Sequence, residues 1–213
     1  MTKSSAAKQA IFREAHPLAR ELIERIDRGL DVLEIGPGSG RNFAMLIAKA
    51  DVTAFESDEK RAAALRAAFP DHARRILNGS YARMPFADRS FSAVLSTHAL
   101  LHGEPHDIEM ALKEIARVSR HGARLFATFG SQRDARFGKG TRLGPQCFAP
   151  TAGDETGVAH TYFGEAKLRS LLSDFKIERL DEVQVDAIAG TWAHAQKPLR
   201  DAVHWFVVAR NER

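Results

Sequence analysis

A glycine-rich turn between a predicted strand and a predicted helix limits the folds that this sequence can adopt. The stretch VLEIGPGSGRN occupies residues 32–42 and places glycine at positions 36, 38 and 40. Because glycine has no Cβ, such a backbone turns tightly and lets a ligand approach closely. The helix that follows offers unpaired N–H groups and a favourable dipole at its first turn. The pattern is typical of a nucleotide-binding βα unit, although a tight turn without a ligand has the same sequence.

Strand and helix patterns alternate after this turn. Short apolar strands are predicted at residues 31–35, 52–56, 75–78, 91–97 and 124–129, and helices at residues 41–50, 59–69 and 105–120. Such βαβ units form a parallel sheet with right-handed crossovers and helices on both faces. The last two predicted strands, residues 177–185 and 203–209, have no strong helix between them. We therefore expect an antiparallel ending.

The length of 213 residues suits one domain, which we expect to span residues 1–213. Residues 6–28 have a helical period that Pro17 interrupts near Ala15 or His16, so residues 1–29 are predicted to be an N-terminal helical extension. Residues 130–162 contain six glycines and no clear period. A segment of that kind is typical of a lid or an acceptor-binding loop.

Composition excludes several classes of protein. The net charge is only +4 and no long run of like charge occurs, so a nucleic-acid partner is not expected. Cys147 is the single cysteine, which excludes an intrachain disulfide and a cysteine-only metal cluster. No apolar stretch approaches 18 residues, and the first residues lack the apolar core of a signal peptide. We expect no membrane span and a cytoplasmic location.

Two acidic residues narrow the ligand class. Glu56 ends the second predicted strand, where a carboxylate can accept hydrogen bonds from both hydroxyls of a ribose. A solvated strand-end carboxylate is the alternative interpretation. Together with the turn, Glu56 fits NAD(H) or S-adenosylmethionine. Glu34 favours the second, because a carboxylate repels a pyrophosphate but suits a ligand that carries an ammonium and a sulfonium.

The pattern E-x-G-x-G-x-G at residues 34–40 resembles the first motif of class I S-adenosylmethionine-dependent methyltransferases. Residues 79–102 look like the third- and fourth-strand region of that family, and residues 111–129 like its next helix and fifth strand. Residues 157–175 and 204–210 resemble the tail of tellurite-resistance-type methyltransferases. The resemblance implies an α/β, Rossmann-like, doubly wound sheet. This sheet would be mostly parallel and seven-stranded, with an antiparallel last strand.

The resemblance also implies S-adenosylmethionine as cofactor, with S-adenosylhomocysteine as product. The cofactor-binding residues that it implies are Glu34, Gly36, Pro37, Gly38, Gly40, Glu56, Ser57, Ser80, Tyr81 and Thr97. One departure is Ser80, where the family usually has an Asp that binds the adenine amino group. A neutral hydroxyl makes a weaker hydrogen bond than a carboxylate, although Tyr81 could pack on the adenine.

The implied function is methyl transfer to a small-molecule acceptor by in-line displacement. A displacement of this kind depends mostly on alignment of donor and acceptor, and it needs a base only if the acceptor loses a proton. Two alternatives stay open. A non-catalytic relative that binds S-adenosylmethionine or S-adenosylhomocysteine is one, and an NAD-dependent oxidoreductase is the other.

The candidate catalytic residues are His98 and His102 after the fourth strand, with His160 and Tyr162 at the end of the segment 130–162. Histidine titrates near neutral pH and can act as a base, although a solvated or packed histidine is the alternative. His98, His102 and His106 have H-x3-H-x3-H spacing, but Gly103 and Pro105 interrupt a continuous helix. No metal site is therefore expected.

Positive residues suggest where charged groups bind. The segment 130–162 contains Arg133, Arg136, Lys139 and Arg142, which could attract an anionic acceptor. Arg13, His16 and Arg20 of the N-terminal extension are candidates for contact with the methionyl carboxylate, although a solvated helix face is the alternative. The sequence does not identify the acceptor or the oligomeric state.

Overall fold

A mostly parallel sheet covered by helices forms the centre of the protein. The computed structural model describes residues 14–153, 155–188 and 201–213. The helices are α1 (Pro17–Arg25), α2 (Arg41–Leu46), α3 (Glu59–Ala68), α4 (Pro105–Val118) and α5 (Glu165–Leu171), with 3₁₀ turns at Pro70–Arg75 and Val185–Ala187. The strands are β1 (Asp31–Ile35), β2 (Asp51–Glu56), β3 (Ile76–Asn78), β4 (Phe91–Ser96), β5 (Ser119–Ser131), β6 (Thr141–Gly144), β7 (Cys147–Ala149), β8 (His160–Phe163), β9 (Phe175–Gln184) and β10 (Val203–Asn211).

The strand order confirms the predicted fold class. Strands β3, β2, β1, β4 and β5 are parallel neighbours, β10 is antiparallel to β5, and β9 is antiparallel to β10. The order changes direction between β1 and β4, which is the switch point where open α/β sheets bind ligands. The turn after β1 and the residues after β4 therefore meet at one edge of the sheet.

Successive side chains of a strand point to opposite faces of the sheet, so the apolar residues form two clusters, one on each face. In β1, Leu33 and Ile35 pack in the cluster that includes Ile115 of α4, whereas Val32 packs in the cluster that includes Leu22 of α1. Full burial of one such side chain contributes about 1.5–3 kcal/mol. Packing on both faces holds the turns at the strand ends in place.

The described part of the predicted N-terminal extension contains a helix that begins at Pro17. His16 is the N-cap of α1, and its Nδ1 accepts a hydrogen bond from the N–H of Leu18 at 3.1 Å. Proline fits the first position of a helix because its missing N–H has no helical partner there. Residues 1–13 lie outside the described residues, and Arg13 with them.

The segment 130–162 contains strands where the sequence indicates only a loop. β6 pairs antiparallel with β7, and β7 with β8. β8 in turn pairs in parallel with Gly130 and Ser131 at the end of β5. β4 pairs with β5 only as far as Ala127, and β10 occupies the other edge, so β8 continues the sheet beyond the end of β4. Strands of three or four residues are too short to show a period in sequence.

Among the described residues, no helix combines the length and the apolar character needed to cross a bilayer.

Candidate active site

The turn after β1 is built from glycines that serve different purposes. Gly36, Gly38 and Gly40 have φ values of 66°, 54° and 82°, which is the left-handed region that favours glycine. A Cβ at Gly36 would lie 2.4 Å from the Cβ of Ala99, whereas a Cβ at Gly38 would meet nothing within 4 Å. Position 36 therefore needs glycine for packing, and position 38 faces open space.

Glu56 lies buried against this turn. Its Oε2 accepts a hydrogen bond from the N–H of Gly38 at 3.2 Å, and its Oε1 accepts one from the N–H of Asp58 at 3.2 Å. A carboxylate has about four acceptor positions, so capacity remains for ligand hydroxyls. The predicted pairing of the glycine turn with the carboxylate at the end of β2 is thus present in the structure.

A cavity of about 450 Å³ lies next to the end of β2, and its lining includes Ser57, Ser80, Tyr81 and His102. The Tyr81 hydroxyl accepts a hydrogen bond from the N–H of Ser57 at 3.2 Å and lies 3.5 Å from Oε1 of Glu56. Burial raises the pKa of Tyr81, so its phenol keeps its proton. The hydroxyl of Tyr81 thus lies beside Glu56, at the expected ribose-binding carboxylate.

Ser80 is exposed at the rim of the cavity. Its Oγ accepts a hydrogen bond from the N–H of Ala82 at 3.3 Å. Ser80 and Tyr81 are therefore both at the cavity, as the resemblance implies, but Tyr81 also packs its ring against Phe55 at a centroid distance of 5.9 Å. The Tyr81 ring is thus supported from within the protein.

Glu34 is buried beneath the glycine turn. Neither carboxylate oxygen makes a hydrogen bond of good geometry within the described residues. Burial raises the pKa of Glu34 to about 8, against the opposing effects of Asn42 and Arg41. A cation bound nearby would favour the ionised form and lower this pKa. Glu34 is therefore poised to respond to a positively charged ligand.

Asn42, in the first turn of α2, connects that helix to the N-terminus of α1 and to the end of β4. Its Oδ1 accepts a hydrogen bond from the N–H of His16 at 2.9 Å, and its Nδ2 donates to Oγ1 of Thr97 at 3.0 Å. The N-terminus of α1 is thereby tied to the end of β4. The only sequence signal for this role is that Asn42 follows Gly40 closely, as part of the first motif.

His98 lies directly after β4 in a strained conformation. Its φ is 61°, which is uncommon for a residue with a side chain, and its N–H donates to Oγ1 of Thr128 at 2.8 Å. Its ring is flanked by the rings of His16 and His204, at centroid distances of 5.7 Å and 5.1 Å. Non-glycine residues with such backbones cluster at functional sites.

The two neighbours of His98 carry no charge near neutral pH. Burial lowers the pKa of His16 well below its usual value and lowers that of His204 to about 3. His16 therefore supplies no cation for a methionyl carboxylate and instead caps α1. Arg20, the other described candidate, forms an ion pair with Glu14 at 2.8 Å and donates to the carbonyl of Ala15.

His102 and His160 form a second pair, with ring centroids 4.7 Å apart. Glu155 joins them, with carboxylate oxygens 3.3 Å from Nε2 of His102 and 3.0 Å from Nε2 of His160. Burial lowers the pKa of His102. No pattern in the sequence marks Glu155, because only the fold brings its turn against the residues that follow β4.

The remaining candidates lie elsewhere. Tyr162 packs against Phe137 at a centroid distance of 5.7 Å, and burial raises its pKa to about 12. It can donate a hydrogen bond but cannot act as a base near neutral pH. His106 is exposed on α4. The four catalytic candidates therefore occupy three places: His98, the pair His102 and His160, and Tyr162.

Two of the four cations in the segment 130–162 already have carboxylate partners. Arg136 contacts Asp134 at 2.8 Å, and Arg133 contacts Glu182 at 3.0 Å. Lys139 and Arg142 are exposed. The positive charge available to an anionic acceptor is thus smaller than the residue count suggests.

Residues 33–127 match the family model described as a methyltransferase domain. This range is slightly less than half of the chain. The matched range includes the glycine turn, Glu56, the cavity residues and His98, but it ends before Glu155 and His160. The match agrees with the resemblance to S-adenosylmethionine-dependent methyltransferases and with the cofactor that this resemblance implies.

Among curated proteins, the chain is similar to a sterol 24-C-methyltransferase of Aspergillus fumigatus. The two are 32% identical over 120 residues, which cover 54% of this chain and 31% of the relative. The chain thus spans about a third of the length of the curated relative that it matches.

Solved methyltransferase structures share the fold. An S-adenosylmethionine-dependent methyltransferase from Methanosarcina mazei has a TM-score of 0.72 at 17% identity, covering 93% of this chain and 98% of the other. The 1,6-didemethyltoxoflavin-N1-methyltransferase of Burkholderia thailandensis was solved with bound 1,6-didemethyltoxoflavin and S-adenosylhomocysteine. It has a TM-score of 0.65 at 18% identity, covering 99% of this chain and 82% of the other. At these identities the likeness establishes the fold.

Proposed function

We propose that this chain transfers a methyl group from S-adenosylmethionine to a small-molecule acceptor. The observation that carries the proposal is the buried carboxylate of Glu56, which lies 3.2 Å from the backbone nitrogen of Gly38 and 3.5 Å from the hydroxyl of Tyr81, a residue that lines a cavity of about 450 Å³. A buried carboxylate at the switch point of the sheet can accept hydrogen bonds from the hydroxyls of a ribose. The glycine turn beside it leaves room for the groups attached to that ribose.

The residues present fit such a cofactor. Glu56 would accept the ribose hydroxyls, and Ser57, Ser80 and Tyr81 would line the adenine side. The turn from Gly36 through Pro37 to Gly40 would hold the methionyl side, above the buried carboxylate of Glu34. When bound, S-adenosylmethionine supplies an electrophilic methyl group on a sulfonium.

His98 is the residue that we expect to contact the acceptor. It follows β4 at the same edge of the sheet as the glycine turn, and its ring is held between two neutral imidazoles. Its roles would be to orient the acceptor and to take a proton from an acceptor hydroxyl or thiol. The catalytic acceleration would come mainly from alignment of the two reactants.

Thermal denaturation with different ligands tests the cofactor. S-adenosylhomocysteine at 100 times its Kd should stabilise the fold by about 2.7 kcal/mol, and NADH should leave the midpoint unchanged. Glu56→Ala should abolish the shift. Glu59→Ala, an exposed carboxylate of α3, should retain it. A shift with NADH alone would instead support the oxidoreductase alternative.

Turnover separates an enzyme from a non-catalytic relative. With a panel of small hydroxyl, thiol and amine compounds, the chain should convert S-adenosylmethionine to S-adenosylhomocysteine at an acceptor-dependent rate. His98→Ala should lower kcat at least ten-fold and leave the Kd of S-adenosylhomocysteine within about two-fold. Binding without turnover on any acceptor class would favour the non-catalytic alternative.

A further inference from the structure

We infer that His102, Glu155 and His160 form a binding site for one Zn²⁺ ion at the edge of the cleft. One potential ligand atom from each residue lies within 4.8 Å of the other two. The sequence indicates no such site, because its histidine spacing points to His98 and His106 rather than to Glu155 and His160. The inference concerns metal binding alone and does not depend on the proposed methyl transfer.

The backbone fixes the two histidines side by side. His102 and His160 form an antiparallel bridge, with the N–H of Thr161 donating to the carbonyl of Leu101 at 2.8 Å and the N–H of Gly103 donating to that of Ala159 at 2.9 Å. In this arrangement the bridged pair exchanges no hydrogen bonds of its own, so its Cα atoms are close and its side chains share one face. The two imidazoles are therefore positioned by main-chain pairing.

Glu155 is brought to the same face by a turn. The N–H of Val158 donates to the carbonyl of Glu155 at 3.0 Å. The carboxylate then lies 3.3 Å from Nε2 of His102 and 3.0 Å from Nε2 of His160. Tetrahedral zinc with bonds of about 2.0–2.2 Å places neighbouring ligand atoms about 3.3 Å apart. The two carboxylate–imidazole distances, one from each oxygen of Glu155, are close to that value, and all three ligand atoms lie within 4.8 Å of one another.

The hydrogen bond at Nδ1 of His160 determines whether Nε2, on the opposite side of the ring, is protonated in the neutral imidazole. Nδ1 lies 2.8 Å from the carbonyl oxygen of Val158, which only accepts, so Nδ1 carries the proton. In neutral His160 the lone pair of Nε2 then faces a carboxylate oxygen of Glu155 at 3.0 Å. Two lone pairs repel at that distance unless a cation or a further proton lies between them.

A metal ion resolves this repulsion, and the surroundings match known metal sites. Metal-bound histidines usually donate their other N–H to a carbonyl or carboxylate, as His160 does to Val158. Two imidazoles and one carboxylate are the three protein ligands of many zinc sites that keep one position open. His102 and Glu155 are 29% and 22% exposed, and His102 lines the cavity, so an ion can enter.

Cobalt provides a direct test, because tetrahedral Co²⁺ absorbs visible light and competes with zinc for the same ligands. Untagged protein, stripped with a chelator and dialysed, is titrated with Co²⁺ and then with Zn²⁺. We expect tetrahedral Co²⁺ absorption that saturates at one ion per chain and disappears when Zn²⁺ is added. Glu155→Gln, His102→Ala and His160→Ala should each weaken binding at least ten-fold.

His106→Ala is the matched control, since it removes an exposed histidine four residues from His102, and it should bind Co²⁺ like the wild type. Glu155→Gln guards against a folding artefact, because its partly exposed side chain is replaced by one of the same size. Circular dichroism verifies that each variant folds. The inference is overturned if Co²⁺ shows no tetrahedral spectrum at one ion per chain, or if Glu155→Gln binds it like the wild type. The three side chains would then be held together by a proton.

Discussion

At the scale of single residues, Glu34 has an environment unlike that of a solvated carboxylate. Its pKa is raised to about 8 by burial, whereas the usual value is 4.5. Between these pH values the folded chain holds a proton that the unfolded chain has lost. The free energy of unfolding should therefore fall as pH rises from about 4.5 to about 8, and level off above.

Glu34→Gln should remove this contribution. In urea denaturation across that pH range, the wild type should lose stability relative to the variant by at most about 1.4 kcal/mol per pH unit. Glu24→Gln, which alters an exposed carboxylate on α1, controls for the charge change. Parallel stability profiles for the wild type and Glu34→Gln would show that Glu34 is not protonated in the folded state.

Ser80 tests the adenine side of the cleft. In Ser80→Asp, one carboxylate oxygen can keep the hydrogen bond from the N–H of Ala82, and the second adds a charged acceptor at the cavity rim. Because hydrogen bonds to charged groups are stronger by roughly 1 kcal/mol, the Kd of S-adenosylhomocysteine should fall about five-fold in calorimetry. Ala87→Asp, an exposed position, should have no effect. An unchanged or higher Kd for Ser80→Asp would remove Ser80 from the adenine site.

Residues that act through local sequence could be predicted, and residues that act through tertiary contact could not. Gly38 lies in the turn after β1, and Glu56 is the last residue of the neighbouring strand β2. The order of the two strands is therefore enough to bring these residues together. Glu155 and His204 reach the site from distant parts of the chain, and a single sequence contains no signal for such proximity. Tyr162 lies in the predicted segment, but its burial against aromatic rings depends on how that segment folds.

At the scale of elements, the turn between β1 and α2 makes two glycines distinguishable by experiment. Gly36→Ala places a Cβ 2.4 Å from the Cβ of Ala99, and it does so at a φ of 66°, which alanine disfavours. In urea denaturation, the free energy of unfolding should therefore fall by more than about 2 kcal/mol. Gly38→Ala carries only the left-handed strain of about 1–2 kcal/mol. It should fold and yet bind S-adenosylhomocysteine at least ten-fold more weakly, because its Cβ points into open space beside Glu56. Equal binding by Gly38→Ala and the wild type would place the ligand elsewhere.

The elements differ in how much the sequence reveals about them. The helix α4 was predictable because Ile108, Leu112 and Ile115 recur at helical spacing, and all three are buried. Its end was not, since the predicted helix runs to residue 120, whereas α4 ends at Val118 and β5 begins at Ser119. The strands β6, β7 and β8 could not be predicted because their pairing partners, rather than their own pattern, define them.

At the scale of the whole molecule, the sheet order brings the glycine turn, the cavity and His98 to one edge. The alternation of strands and helices predicts a parallel sheet with right-handed crossovers, and the resemblance implies its doubly wound form. The alternation does not predict β8, which extends the sheet past β4 and carries His160 to His102. The acceptor side of the cleft is therefore the part that the sequence leaves least determined.

A crystal structure of the chain with S-adenosylhomocysteine tests the central claim most directly. The account predicts ribose hydroxyls within hydrogen-bond distance of the Glu56 carboxylate, and the thioether sulfur at the turn of residues 36–40. A ligand bound away from Glu56, or a cleft that stays empty at saturating ligand, would contradict it.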